Sequence, residues 1–306
     1  MLPAFLATVL FSVSAVSGNR LARWLGGNLA NFARLLLATL LLALWAHSFG
    51  SGLQGAALPI FFMSGCIGFG LGDLALYQAL PRIGSRLTIL LVQCLAAPFA
   101  ALTEWIWLGT TLTPAELLSG AVILTGVGLA VAPREHLHLP TKTLVCGVCF
   151  GVLAALGQGW GAVLSRKAYD TAALAGESID GMTAAYQRIL GGVLIAGLPM
   201  LWLLLRGRTR DPMRIRVGND AGPGIWRRSS GWLLVNALSG AVLGVGCYQW
   251  ALETTPSGIV LPIVATTPLV IIPFAYFIEH DKPGVRSLLG GMLAVIGVIG
   301  LTLAAR

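Results

Sequence analysis

Residues 76–85 read LYQALPRIGS and, after a long apolar run, residues 112–129 read LTPAELLSGAVILTGVGL. The same order returns from Tyr248: YQWALETTPS over 248–257, a second apolar run, then KPGVRSLLGGMLAVIGVIGL over 282–301. Ala79-Leu80 meets Ala251-Leu252, Ser85 meets Ser257, Pro114 meets Pro283, Gly120 meets Gly290 and Gly126 meets Gly297. Slips of one or two residues are needed to hold the register, so the pattern is an old duplication and not a tandem array. A doubled chain is expected to do its work between its two halves.

The material between these marks is apolar. Of 306 residues, 56% are hydrophobic and only 10% charged, with a mean hydropathy of +0.83. Globular surfaces need roughly 25% charged residues, so the chain is read as an all-α integral membrane protein, multi-pass, in contact with the lipid bilayer. Segments long enough to span lie near 3–19, 29–47, 58–80, 87–107, 116–132, 143–164, 183–205, 231–252, 258–278 and 286–304. That predicts ten transmembrane helices, five in each of two repeats (1–135 and 136–306), with a basic loop over 206–230. The opening stretch MLPAFLATVLFSVSAVSGN lacks the basic start of a signal peptide, and the second half has its own counterpart near 144–166, so it is read as the first span.

Five helices is an odd number, so two equivalent halves insert in opposite senses, and equivalent loops then carry opposite basic charge. PRIGSR (81–86) has two Arg where TTPSG (254–258) has none. LGTTLTP (108–114) has no basic residue where EHDKPGVR (279–286) has two, and the loop 206–230 alone holds seven Arg. The pattern predicts two inverted five-helix repeats. The crowded side, with Arg20, Arg82, Arg134 and the seven Arg of 206–228, is assigned to the cytosol, which puts both termini outside. The net charge of +8 thus speaks of orientation, with no nucleic acid as partner.

Polar groups inside apolar spans are the candidate site. Arg34 and Arg188 are repeat equivalents, each two residues after an aromatic (Phe32, Tyr186) and roughly 9 Å inside its membrane face. A charge in the hydrocarbon faces the bundle interior and pairs, contacts solute, or snorkels outward. Asp73, after the small-residue run GCIGFGLG, can pair with Arg34, take up a coupling proton or bind the amine of a solute. Glu104, Glu253 and Glu279 lie at span ends and read as interfacial, with a Glu253–Arg188 pair open. Asn19, Tyr77, Gln78, Gln93, Trp160, Tyr248 and Gln249 complete the set of candidate solute-binding residues. They form either interhelical hydrogen bonds or the polar anchors of an aromatic-walled cavity. Pro98 and Pro268, also equivalents, mark helices 4 and 9 as kinked, statically or as bending elements. The scattered five cysteines make no disulfide framework, and Cys146-x-x-Cys149 reads as packing. No metal or other cofactor and no catalytic residue is assigned, and no phosphate-binding loop is present to make ATP the direct energy source.

The Ala-Leu pairs before a small-residue turn, the mid-helix prolines, the Pro-to-Gly runs 114–126 and 283–297, and Arg34 and Arg188 near the start of the second helix of each half resemble the EamA family of the drug/metabolite transporter superfamily. Trp160-Gly161 matches the family's first-helix pattern, whereas Val16-Ser17-Gly18-Asn19 keeps the Asn without the Trp. The family's Glu after the fourth helix corresponds to Glu279, but Thr110 and Thr111 stand there in the first half, a departure from strict two-fold symmetry. The resemblance implies export of a small-molecule solute, such as an amino acid, by alternating access. It also implies a central cavity lined by helices 1, 3, 4, 6, 8 and 9, and a bacterial plasma membrane. It commonly places termini in the cytosol, against the charge count. The rival readings are a polytopic membrane enzyme or lipid-handling protein, and a scaffold without flux. A cysteine placed at Thr209 on a cysteine-free background is expected to react with an impermeant maleimide only from the cytosolic side; reaction from outside reverses the orientation.

Overall fold

The computed structural model describes residues 1–131, 140–205, 225–267, 269–271 and 285–304. Helices dominate throughout, because in a chain this apolar only intrasegment hydrogen bonding satisfies the backbone. They run α1 (Leu2–Leu25), α2 (Gly27–Ser48), α3 (Leu58–Gly84), α4 (Leu87–Leu108), α5 (Pro114–Val131), α6 (Thr141–Leu174), α7 (Gly181–Leu205), α8 (Trp226–Thr254), α9 (Ser257–Val264) and α10 (Val285–Ala304). Among the described residues seven of these (α1–α4 and α6–α8) are long and apolar enough to cross a membrane. Shorter apolar helices run over Pro114–Leu129, Ser257–Ile271 and Leu289–Leu301. Bulky side chains such as Leu40, Leu44, Ile106 and Leu118 stand well exposed on the outer surface, as a lipid-facing shell requires.

The breaks follow from local chemistry. Gly26 (φ 82°) separates α1 from α2, and Gly84 (φ 76°) interrupts an otherwise continuous run from Asp73 to Leu108. Only glycine holds that conformation without strain. Two expected boundaries move. α6 continues to Leu174, ten residues beyond the expected end, so Arg166 and Lys167 lie on a helix and not in a loop. The last residues of the expected basic loop, from Ile225, are the first turns of helix. There Arg228 stacks on Trp24 at 4.8 Å and Arg20 on Trp232 at 4.4 Å, so cation–π contacts let the basic residues continue the helix at the interface.

Both α3 and α8 contain a π-helical segment, Cys66–Gly72 and Ala237–Val242. On the Ala79–Ala251 register, Gly68 falls on Gly240 and Gly72 on Gly244. A π turn interrupts the regular 3.6-residue phase and is a frequent mark of a functional position. The segments also lie against the arginine helices: Cys66–Gly72 packs on α7 and α6, and Ala237–Val242 on α2 and α1.

Small residues set these approaches. A methyl at Gly65 would lie 1.6 Å from the Arg188 carbonyl oxygen, and one at Gly157 would lie 2.5 Å from the Gly72 Cα. The glycines that marked the duplication find their use in the α5–α10 pair, where a Cβ on Gly126 would meet the Ala294 nitrogen at 2.5 Å and one on Gly297 would meet the Ile123 nitrogen at 2.8 Å. Gly65→Ala is therefore expected to lower stability by roughly 1–3 kcal/mol, the usual overpacking range. Gly231→Ala, with nothing within 4 Å of the added methyl, is expected to leave the unfolding temperature unchanged or higher; thermal unfolding of both in detergent checks the contrast.

Candidate solute cavity

One face of α3 is built for the interior. Phe69, Asp73, Leu76, Tyr77 and Leu80 recur at three- and four-residue steps and line a central cavity of about 120 Å³. The residues between them, Ile67, Leu71, Leu74, Ala75 and Gln78, line a separate, half-open apolar groove of about 510 Å³ with Phe150, Trp160 and Trp202. A step of one residue turns a helix by about 100°, which is why Tyr77 and Gln78, adjacent in sequence, serve different spaces.

Of the ten candidate residues, Arg34, Asp73, Tyr77, Gln93, Arg188 and Tyr248 come together around the central cavity. Gln78 and Trp160 belong to the outer groove instead, Trp160 being 45% exposed. Asn19 and Gln249 are buried without lining either space, and among the described residues the Asn19 Oδ1 and both amide atoms of Gln249 have no partner. Reasoning from types alone missed Phe11, Ser14, Gly68, Phe69 and Gly240, because serine, glycine and phenylalanine are ordinary packing residues in spans. Among the described residues the lining comes from α1, α2, α3, α4, α6, α7 and α8. The implied set lacked α2 and α7, the two arginine helices. Pro268 and Glu279 lie outside the described residues, as do His136, His138 and His280.

The two arginines differ sharply. Arg34, 4% exposed, forms an ion pair through Nη2 with the Asp73 carboxylate, and the same nitrogen donates to Asn31 Oδ1 at 3.0 Å. In the conformation described, Arg34 and Asp73 are therefore paired. Arg34 also lies over the Tyr77 ring at 5.1 Å. Tyr77 donates to Asn236 Oδ1 at 2.7 Å, and Asn236 Nδ2 donates to the Ser14 carbonyl at 2.7 Å and to the Ser17 hydroxyl at 3.1 Å. One polar chain thus links α2, α3, α8 and α1. Asn236 was overlooked, although the repeat register sets it against Ser64, which plays a similar part by donating to the Gly161 carbonyl at 2.6 Å.

Arg188, 5% exposed, lies over the Phe69 ring at 5.4 Å. Among the described residues it has no hydrogen-bond or ion-pair partner, and its Nε, like that of Arg34, is buried unsatisfied. The Glu253 pair is not formed: Glu253 is five residues past Tyr248, about 140° round the helix from the cavity face, and its side chain is only half-buried. The Tyr248 hydroxyl, beside the same cavity, also has no partner among the described residues. On the α4–α6 side Gln158 Nε2 donates to Gln93 Oε1 at 2.7 Å.

Glu104 corrects the interfacial reading. It is 2% exposed and accepts from the backbone nitrogens of Ser257 (3.4 Å) and Gly258 (3.2 Å), and from the Ser257 hydroxyl. A carboxylate there caps the positive N-terminal end of α9. Arg166 lies 3.8 Å from Glu104 and donates to the Leu252 and Glu253 carbonyls at 2.7 and 3.0 Å. Three helix ends, those of α4, α8 and α9, are tied here to Arg166 within α6.

With this geometry in hand, the EamA-like transporter family matches the chain over residues 1–132 and 145–303. Twenty-nine chains of solved structures match. One, titled only "Crystal structure of protein", is 16% identical, with a TM-score of 0.68 over 99% of this chain and 97% of its own, a likeness of fold. No curated protein gives a match. Asp73→Ala leaves Arg34 as an uncompensated buried charge and is expected to destabilise by about 3–5 kcal/mol. Adding Arg34→Met to it should restore most of that loss, and a thermal-unfolding cycle over the four proteins measures the coupling.

Proposed function

The chain belongs to the EamA-like transporter family, and from that premise we propose that it is a secondary transporter that exports small metabolites, such as amino acids, by alternating access. The ten helices α1–α10 are read as ten spans in two inverted five-helix repeats, meeting at residues 135 and 136, in the bacterial plasma membrane. The observation that carries this reading is the central cavity, because spans from both parts of the chain contribute to it. Aromatic walls and a few polar anchors are what a small-solute site needs. Charged residues facing such a cavity within spans mark a transport path.

The glycine-rich π segments of α3 and α8 are the elements that bend as the cavity changes sides. The knot of Glu104, Arg166 and Ser257 holds one mouth shut in the conformation described. Asp73 is the candidate for proton coupling: release of Arg34 by protonation would link cavity charge to the cycle. The rival lipid-handling reading draws on the apolar groove of Trp160 and Trp202, which meets lipid directly.

Purified protein in proteoliposomes, tested with a panel of radiolabelled metabolites under imposed pH gradients, decides between these. Solute flux is expected in wild type, and its dependence on the pH gradient should be lost in Asp73→Asn. Arg34→Gln and Arg188→Gln are expected to lower flux by at least about ten-fold, the scale of one charged hydrogen bond, while the protein still inserts. Lipid movement without metabolite flux would overturn the reading.

A further inference from the structure

Arg34 and Arg188 occupy equivalent places in the two copies, and their surroundings share two features and differ in the counter-ion. Each lies beside a glycine of a π segment from the other half: a Cβ at Gly240 would come within 3.4 Å of Arg34 Nη1, and one at Gly68 within 2.9 Å of Arg188 Nη2. Each has an aromatic ring beneath it, Tyr77 at 5.1 Å and Phe69 at 5.4 Å. Arg34 has Asp73 as its counter-ion. The register that sets Ala79 on Ala251 sets Asp73 on Val245, and Val245 also lines the cavity. The second copy keeps the cation and lacks the acid.

A guanidinium can only donate, so nothing but an acceptor satisfies it. Arg188 is 5% exposed and unpaired among the described residues, and a charge in that condition is held at a large desolvation penalty. Tyr248 presents to the same cavity a hydroxyl that has no partner among the described residues. Tyr169, from α6, has a second buried hydroxyl without a partner among the described residues, and with Tyr248 and, without an ion pair, Asp73 it is among the electrostatic neighbours of Arg188. Unsatisfied donors grouped around a cation describe a site for an anion.

We propose that Arg188 and Tyr248 form the anion-binding end of the cavity, and that the solute carries a carboxylate which takes the place that Asp73 fills beside Arg34. This inference rests on the transport reading above and names its substrate class. Charge balance separates carboxylate from phosphate. Two arginines and one aspartate line the cavity, a surplus of one positive charge, which a carboxylate neutralises. A phosphate monoester brings about −1.5 to −2 at neutral pH. The planar fork of an arginine also matches the two oxygens of a carboxylate.

The test uses the full chain in proteoliposomes with carboxylate and amide pairs: L-leucine, L-tyrosine and L-serine, each against its amide, together with 4-methylpentanoate and isopentyl phosphate. The carboxylates are expected to be transported or to compete, with the amides and isopentyl phosphate at least about ten-fold weaker. Arg188→Gln should abolish that preference. Arg188→Lys, which keeps the charge but not the fork, and Tyr248→Phe should weaken carboxylate binding while the protein elutes as a folded species. Amides as good as acids, tighter binding of isopentyl phosphate, or an unchanged preference in Arg188→Lys and Tyr248→Phe would overturn the proposal. Transport confined to solutes without a carboxylate would sink it alone and leave the transporter reading standing, whereas no flux of any solute would sink both.

Discussion

The bundle interior offers little water, so each polar group carried into it must find a partner within the protein or from what the protein binds. Arg34 meets that demand internally through Asp73 and Asn31. The pair then aligns Tyr77, Asn236 and Ser14, so one ion pair orders four helices. Arg188 has no such answer among the described residues. Its guanidinium is left as an open donor at the wall of the central cavity.

Close backbone approach makes this arrangement possible. Glycine at 65, 68 and 72 lets α3 lie against α7 and α6, with the Arg188 carbonyl where a larger residue at 65 would need to put its side chain. The same closeness separates the two spaces. Gly157, packed on Gly72, lines the apolar groove, and Asp73, the next residue of α3, lines the central cavity. The π segments fall in this region in both α3 and α8. A helix with a locally widened turn has fewer constraints to break when it bends.

The far end of the bundle follows a different rule. Glu104 is buried because the start of α9 needs an acceptor for its free backbone nitrogens, and Arg166 balances the carboxylate while satisfying the last carbonyls of α8. A carboxylate at the end of an apolar run looks interfacial in one dimension. That this one is buried depends on which other helix end arrives beside it.

Much was legible from residues alone. Apolar run length and the scarcity of charge required membrane helices, since a lone helix must satisfy its own backbone. The spaced Ala-Leu, Pro and Gly marks exposed the duplication, and two arginines within apolar runs announced an interior site. These are local properties, written within one or two turns of helix. The choice between Tyr77 and Gln78, the outward turn of Trp160, the continuation of α6 to Leu174 and the unequal fates of Arg34 and Arg188 were decided only in three dimensions. Helical phase and the identity of the neighbouring helix select a side chain's partner, and neither is a property of the segment that carries it.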